Sequence, residues 1–493
     1  MPLSFRRTLA IICLLASLVG CDVTSQTREA TPPPVSTPSR DTDTSTPLAT
    51  GTSPATLTAG TTPTIIISKP AAAIRAAAQP ITGGPDDYDT LLSLVGDAQF
   101  VLLGEASHGT HEFYRERIRI TRRLVEEKGF AAVAVEADWA DADFVNRYVR
   151  GDAEVATAEE ALSSFDSFPL WMWGNTDVLD LVRRLRQHNE ALPHGEHRIG
   201  FYGLDLFKPE KSADLVIYYL DGVGKEAADR ARDRYACVRR VANESPTADA
   251  RPAISEADCD KTVLEQLQEL EETYKASLNS ADSDPAHKEA LFSAVQNARV
   301  IKDKREYDRA PSRGSNSSWN VRDRHMVDTL DALSTHLQRS SKSGKVVVWA
   351  HNSHVGDMSA TDFGRDGEWS LGQLMRERHK DAAVLVGLST YAGEVMAATE
   401  WETPGKVQPV PEAKPDSYPG LFHEAIPGDF LLILRGNTAL AEALDEPRPE
   451  RGIGVVYTSE MEGITNYSGS WLSKQFDAVI HIDRTTAVTP LKP

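Results

Sequence analysis

Four short stretches carry residues whose types and spacing could do chemistry. GEASHG sets Glu105 three residues before His108, with Ser107 between them. VEADW supplies Glu136, WAHNSHVGD supplies His351 and His354, and SWNVRDRHM supplies Arg322. A neutral imidazole takes up a proton near neutral pH, and a carboxylate orients it. A second histidine or an arginine can stabilise a developing anion. Together these groups could serve a hydrolase, which needs a nucleophile, a base and an oxyanion stabiliser. No GxSxG elbow is present, and Glu105 occupies the place of its first glycine ahead of Ser107. Water is therefore the expected nucleophile, with Ser107 as the alternative. The same residue types are also metal ligands: His108, His111, His351 and His354 with two glutamates would suit a metal-dependent hydrolase. HExxH is absent, and the reading adopted has no metal and no cofactor.

The elements that must position these residues are legible as apolar runs at 100–103, 131–135, 199–204, 346–349, 383–388, 430–434, 453–457 and 478–482. Several are continuous rather than alternating, as in strands covered on both faces. Helical patterns separate the early runs, which implies βαβ units. The expected fold class is α/β: a mostly parallel central sheet flanked by helices, with a helical subdomain inserted at 208–343. Glu105, Glu136, Asp205 and His351 each stand at or just beyond the end of a run. In open α/β sheets that edge is where ligands bind. In the helix after the first strand, Arg115, Glu116, Arg119, Arg122, Arg123, Glu126 and Glu127 form a polar face. Phe113, Arg117, Ile120 and Leu124 share the other face. An inward Arg117 needs a partner, either Glu105 or Glu136, unless it snorkels out. Trp171 and Trp173, in FPLWMWGN, either line an apolar pocket or plug the core. They join His354, Arg322 and Asp205 as substrate-binding candidates.

The chain has 493 residues and a net charge of −19. That balance argues against nucleic acid or anionic lipid surfaces as partners. Arg6 and Arg7 precede an apolar run at 9–19 that ends in LVGC, a lipobox-like pattern. Residues 1–21 read as a lipoprotein signal with lipidation at Cys21, or as an ordinary cleaved signal. Residues 22–68, rich in Thr, Ser and Pro, read as a disordered tether, and 80–490 as the catalytic domain. The expectation is an exported protein held to a bacterial membrane by its lipid alone, of undetermined oligomeric state. Cys237 and Cys259 remain after processing; in an oxidising compartment they suggest a disulfide. Two unpaired helical cysteines are the alternative, since nothing in the sequence fixes their distance.

The stretches GEASHGTHEFYRER, VEADW, FYGLDL, SWNVRDRHM, WAHNSHVGD and FDAVIHIDRTTAVTPL, spread over roughly 86–490, resemble the erythromycin esterase family. That family also includes proteins of succinoglycan biosynthesis. The resemblance implies an α/β core with helical additions and a cleft of essential His and Glu residues, working without metal. It puts the general base on His108, the acidic residues on Glu105 and Glu136, the cleft arginine on Arg117 and the later histidines on His351 and His354, with Arg322 as a further match. The partner implied is a small-molecule ester or lactone, a macrolide among the candidates. Glu105 or Glu136 would orient the base or the water, while His351 and Arg117 would stabilise the oxyanion. A rival of another class is a haem or small-molecule binder on a related fold. Two carboxylates beside the histidines favour catalysis over binding.

Overall fold

Parallel strands buried on both faces form the centre of the molecule. In the computed structural model, residues 67–492 are described, except 153, 194–196, 243–254, 281–283, 315 and 342. The expectations for the signal, Cys21 and most of the tether lie outside the described residues. The strands are β1 (Gln79–Pro80), β2 (Phe100–Leu103), β3 (Ala132–Asp138), β4 (Gly200–Asp205), β5 (Val346–Trp349), β6 (Ala383–Ala397), β7 (Lys406–Val410), β8 (Phe430–Ile433), β9 (Arg448–Arg451), β10 (Tyr467–Ser470) and β11 (Ala478–Thr485). The large sheet runs β1-β8-β11-β6-β2-β5-β3-β4, with β7 added to β6. From β11 to β4 every neighbouring pair is parallel; the pairs β1–β8, β8–β11 and β6–β7 are antiparallel. A two-stranded sheet, β9–β10, stands apart.

Side chains alternate across a strand, and here both sets are apolar. Val101, Leu103, Val133, Val135, Val347 and Trp349 face one core with helices His111–Lys128, Trp139–Arg150 and Thr176–Ala191. Phe100, Leu102, Ala132, Ala134, Val346 and Val348 face the other, with helices Ser317–Ser341 and Tyr418–Ala425. Covering on both faces explains why these strands read as unbroken hydrophobic runs. Residues 208–343 are mostly helical and include a core of their own around Tyr235, Val263 and Leu291. Within it Cys237 and Cys259 form a disulfide, Cα atoms 5.9 Å apart.

Register places the chemistry. Leu103 and Val135 both lie opposite Trp349, and Gly203 lies opposite Val135. The four strands therefore end side by side, and the residues following them share one edge. Two glycines make this edge possible. A Cβ on Gly109 would collide with the backbone of Met396, and one on Gly203 with the carbonyls of Ala137 and Asp138, where the β3–β4 register shifts.

Two expectations fail. Residues 453–457 do not form a strand; Ile453 and Val456 make only isolated bridges, to Ser107 and Ala398. Glu116 is not on a solvated face: it is buried and bonded to Tyr88, Arg115 and Arg119.

Candidate active site

The loop after β2 folds Glu105 and His108 together. Glu105 Oε1 lies 3.0 Å from His108 Nδ1, and Glu105 Oε2 accepts a 2.6 Å hydrogen bond from Arg117 Nη2. A carboxylate on Nδ1 fixes the proton there and leaves Nε2 as the basic nitrogen. No hydrogen bond within the described residues occupies His108 Nε2. Of the two carboxylates open to Arg117 in the sequence, Glu105 is its partner, and Arg117 does not snorkel. Its side chain is 0% exposed. Its guanidinium carbon lies 4.5 Å from the Tyr114 ring and 4.6 Å from that of Trp349. This enclosure corrects the oxyanion role expected of Arg117: it cannot reach a substrate, and it positions Glu105 instead.

His351 follows β5, and its ring centroid lies 4.9 Å from that of His108. The Ser353 backbone N–H donates to His351 Nδ1 at 3.2 Å. The ring proton therefore sits on Nε2, which is buried and makes no well-formed hydrogen bond, with the Ala106 backbone beside the ring. Burial, with His108 alongside, holds the imidazole down to about 3. His351 is thus a neutral donor rather than an imidazolium.

Glu136 anchors this histidine from β3. Its Oε2 accepts the His351 backbone N–H at 2.8 Å, and its Oε1 accepts from Arg322 Nη2 at 2.9 Å. Despite the cost of burial, His354 and Arg322 hold its carboxyl well below the usual carboxylate range. His354 is enclosed rather than open to substrate. Asp323 lies 2.9 Å from its Nδ1, Glu136 3.3 Å from its Nε2, and the Trp319 ring stacks on it at 4.4 Å. Burial opposes its charge, but Asp323 and Glu136 lift it to about 9. In the imidazolium, His354 Nε2–H and Arg322 both point at Glu136 Oε1. The 3.0 Å approach of Arg322 Nη1 to that nitrogen is a hydrogen bond only to the neutral ring.

The remaining substrate-binding candidates are also corrected. The Arg322 guanidinium grips Asp205, with Nη2 at 2.5 Å and Nε at 3.0 Å, so both are committed to each other and to Glu136. Trp171 and Trp173 take the core alternative. Both are buried in the hydrophobic cluster, and Trp173 Nε1 donates to the Glu136 carbonyl at 3.1 Å. His111 pairs with Asp177 at 2.8 Å, away from the other histidines. Among the described residues, no three His, Cys, Asp or Glu side chains group so as to hold a metal ion.

Sequence reasoning missed Asp323, Ser353 and Asn352. Asp323 adjoins Arg322 in a stretch already singled out, and its signal was the charge itself on a helix that must pack against the sheet. Asn352 N–H donates to the Glu105 carbonyl at 2.8 Å, and its amide donates to Leu388 O at 2.8 Å. It ties the ends of β2 and β5 to the middle of β6.

The profile of the erythromycin esterase family matches residues 125–485, a span that begins beyond His108. Erythromycin esterase type II of Escherichia coli is 23% identical over 330 residues, 63% of this chain and 74% of its own. YbfO of Bacillus subtilis (strain 168), assigned to the hydrolases, is 20% identical over 82% of this chain and 88% of its own. Among solved structures, a Bacillus cereus protein superposes with a TM-score of 0.68 at 22% identity, covering 86% of this chain and 99% of its own. An erythromycin esterase variant in an open conformation superposes with a TM-score of 0.58 at 17% identity, covering 84% of this chain and 98% of its own. These superpositions show a shared fold.

Proposed function

Because this chain belongs to the erythromycin esterase family, we propose that it hydrolyses a carboxylic ester or lactone with water activated by His108. The observation that carries this reading is the Glu105–His108 pair beside a neutral, unpartnered His351 Nε2–H. Water gives a proton to His108 Nε2 as its oxygen bonds to the acyl carbon. The carbonyl oxygen becomes an oxyanion and accepts a hydrogen bond from His351 Nε2–H. Glu105 faces the imidazolium that forms. Collapse breaks the bond to the alkoxy oxygen, which leaves with the proton held on His108. The products are a carboxylic acid and an alcohol. Arg117 and Glu136 touch no reacting atom; they hold Glu105 and His351 in place.

A macrolide lactone is the substrate that the naming of the Escherichia coli and open-conformation relatives favours. Export with lipidation at Cys21 belongs to the same reading, and the Cys237–Cys259 disulfide supports it, since such bonds persist in oxidising compartments. The test is a panel of esters and lactones, macrolides included, run with and without chelator on the wild type, His108→Asn and His111→Asn. On the substrate found, His108→Asn should lower kcat by about 10²–10⁴-fold with KM little changed, and His111→Asn far less. Full activity in His108→Asn refutes the mechanism. So does loss to chelator that a divalent metal restores.

A further inference from the structure

Beside His351, toward the β9–β10 hairpin, lies a cavity of about 180 Å³ whose walls include Phe363, Glu450, Tyr467 and Gln475. An apolar cavity of about 150 Å³ is enough to hold benzene, so this one takes a group of similar size. Its walls are mostly apolar, and some of the polar groups in them are left open. His351 Nε2 and Gln475 Oε1 are both buried without a partner, on side chains belonging to residues 8% and 4% exposed. Buried polar atoms are ordinarily hydrogen-bonded, so a pair left open at one cavity points to a ligand.

Glu450 completes the wall, and the chain supplies no cation to it. Asn352 Nδ2 donates to its Oε1 at 3.3 Å, and its other neighbours, Ser470 and Gln475, are uncharged. Arg451, next on the strand, turns away to Glu462 at 2.8 Å. The titratable groups facing it are His351, held neutral, and Tyr418, pushed up to about 12 by burial. Burial without a counter-charge raises the Glu450 carboxyl to about 7.

We propose that this cavity is a subsite for a small, uncharged, hydroxyl-bearing group carried beside the scissile ester, and that Glu450 and Gln475 select it. The hydroxyl donates to Gln475 Oε1, and its oxygen accepts from the protonated Glu450 carboxyl, which leaves His351 Nε2–H to the carbonyl oxygen of the scissile bond. A carboxylate would meet no cation there. An ammonium would be set against the donors His351 Nε2–H and Asn352 Nδ2. The inference rests on the hydrolase reading only for its placement beside the reacting bond.

The test is therefore a binding measurement on the full-length protein. Saturation-transfer NMR compares cyclopentanol, cyclopropanecarboxylate and cyclopentylammonium, probes of matched size. Cyclopentanol should bind saturably and the carboxylate should not. Glu450→Gln should leave the alcohol's affinity within about threefold. Glu450→Leu and Gln475→Leu should each weaken it about tenfold, the loss of one hydrogen bond. Gln475→Leu, on a different element, decides the matter if Glu450→Leu does not fold. Indifference of the alcohol to these leucine variants overturns the proposal, as does tighter binding of the ammonium. Failure of the hydrolase reading would show separately, as a silent ester panel with alcohol binding intact.

Discussion

Replacing Arg117 by methionine tests whether the Glu105 carboxylate is held by a buried charge pair. Arg117 and Glu105 are both 0% exposed and lie 2.6 Å apart. Methionine keeps most of the volume between Tyr114 and Trp349, so packing losses stay below about 1.5 kcal/mol. The larger effect is electrostatic. Removing one partner of a buried ion pair costs about 3–5 kcal/mol, because the other charge is left uncompensated. The cation over two desolvated rings adds about 2 kcal/mol to that loss. Glu105→Gln alone strands the guanidinium and falls in the same range. The pair Arg117→Met with Glu105→Gln strands neither charge, so the double variant should be no less stable than either single one. Urea unfolding followed by tryptophan fluorescence gives all four corners of this cycle. Additivity of the two single losses within about 0.5 kcal/mol would show that the groups do not interact, and the positioning role of Arg117 would fall with it.

Stability should decline in alkali because His354 is charged in the folded state. Its pKa is raised to about 9, so its contribution is full below the ordinary imidazole value of about 6.5 and is lost as pH rises to about 9; urea midpoints against pH should flatten over that window in His354→Gln. His351 works in the opposite sense. Held down to about 3, it refuses a proton that the unfolded chain accepts, so stability should fall as pH drops below about 6.5, and His351→Phe should lessen that fall. On a confirmed substrate, His351→Ala should cost about 10²–10³ in kcat, the loss of one oxyanion donor; an unchanged kcat rules out that role. Reduction of the Cys237–Cys259 bond, which spans 22 residues, should remove about 3 kcal/mol on the chain-entropy account, measurable as a lower urea midpoint in dithiothreitol; an unmoved midpoint would show the bond does not constrain the unfolded chain.

Much of this arrangement is legible in the sequence for one reason. A parallel sheet covered on both faces writes its strands as uninterrupted apolar runs, so the residues after each run, Glu105, Glu136 and His351, mark one edge. Arg117 stood out as a charge in an apolar row, and that row is buried. The misreadings have equally physical causes. Residues 453–457 are apolar but find no partner strand. The β9–β10 hairpin, RPER against YSGS, carries no hydrophobic signal, so Glu450 was invisible. Arg322 and His354 read as substrate-binding candidates because their partners Asp205 and Asp323 come from distant parts of the chain, and spacing along a sequence does not report such meetings.

The clamp on Glu136 bears on how far this enzyme can be re-engineered. The helical segment 208–343 looks like a module that could be trimmed or exchanged for one with a different specificity. Its last helix, Ser317–Ser341, however, supplies both Arg322 and Asp323. Through Glu136 these residues hold the His351 backbone N–H. Grafting that removes this helix would also unfasten a histidine rooted in the sheet. Exchanges confined to the earlier helices of the segment leave that fastening whole, so a swap boundary belongs before Ser317.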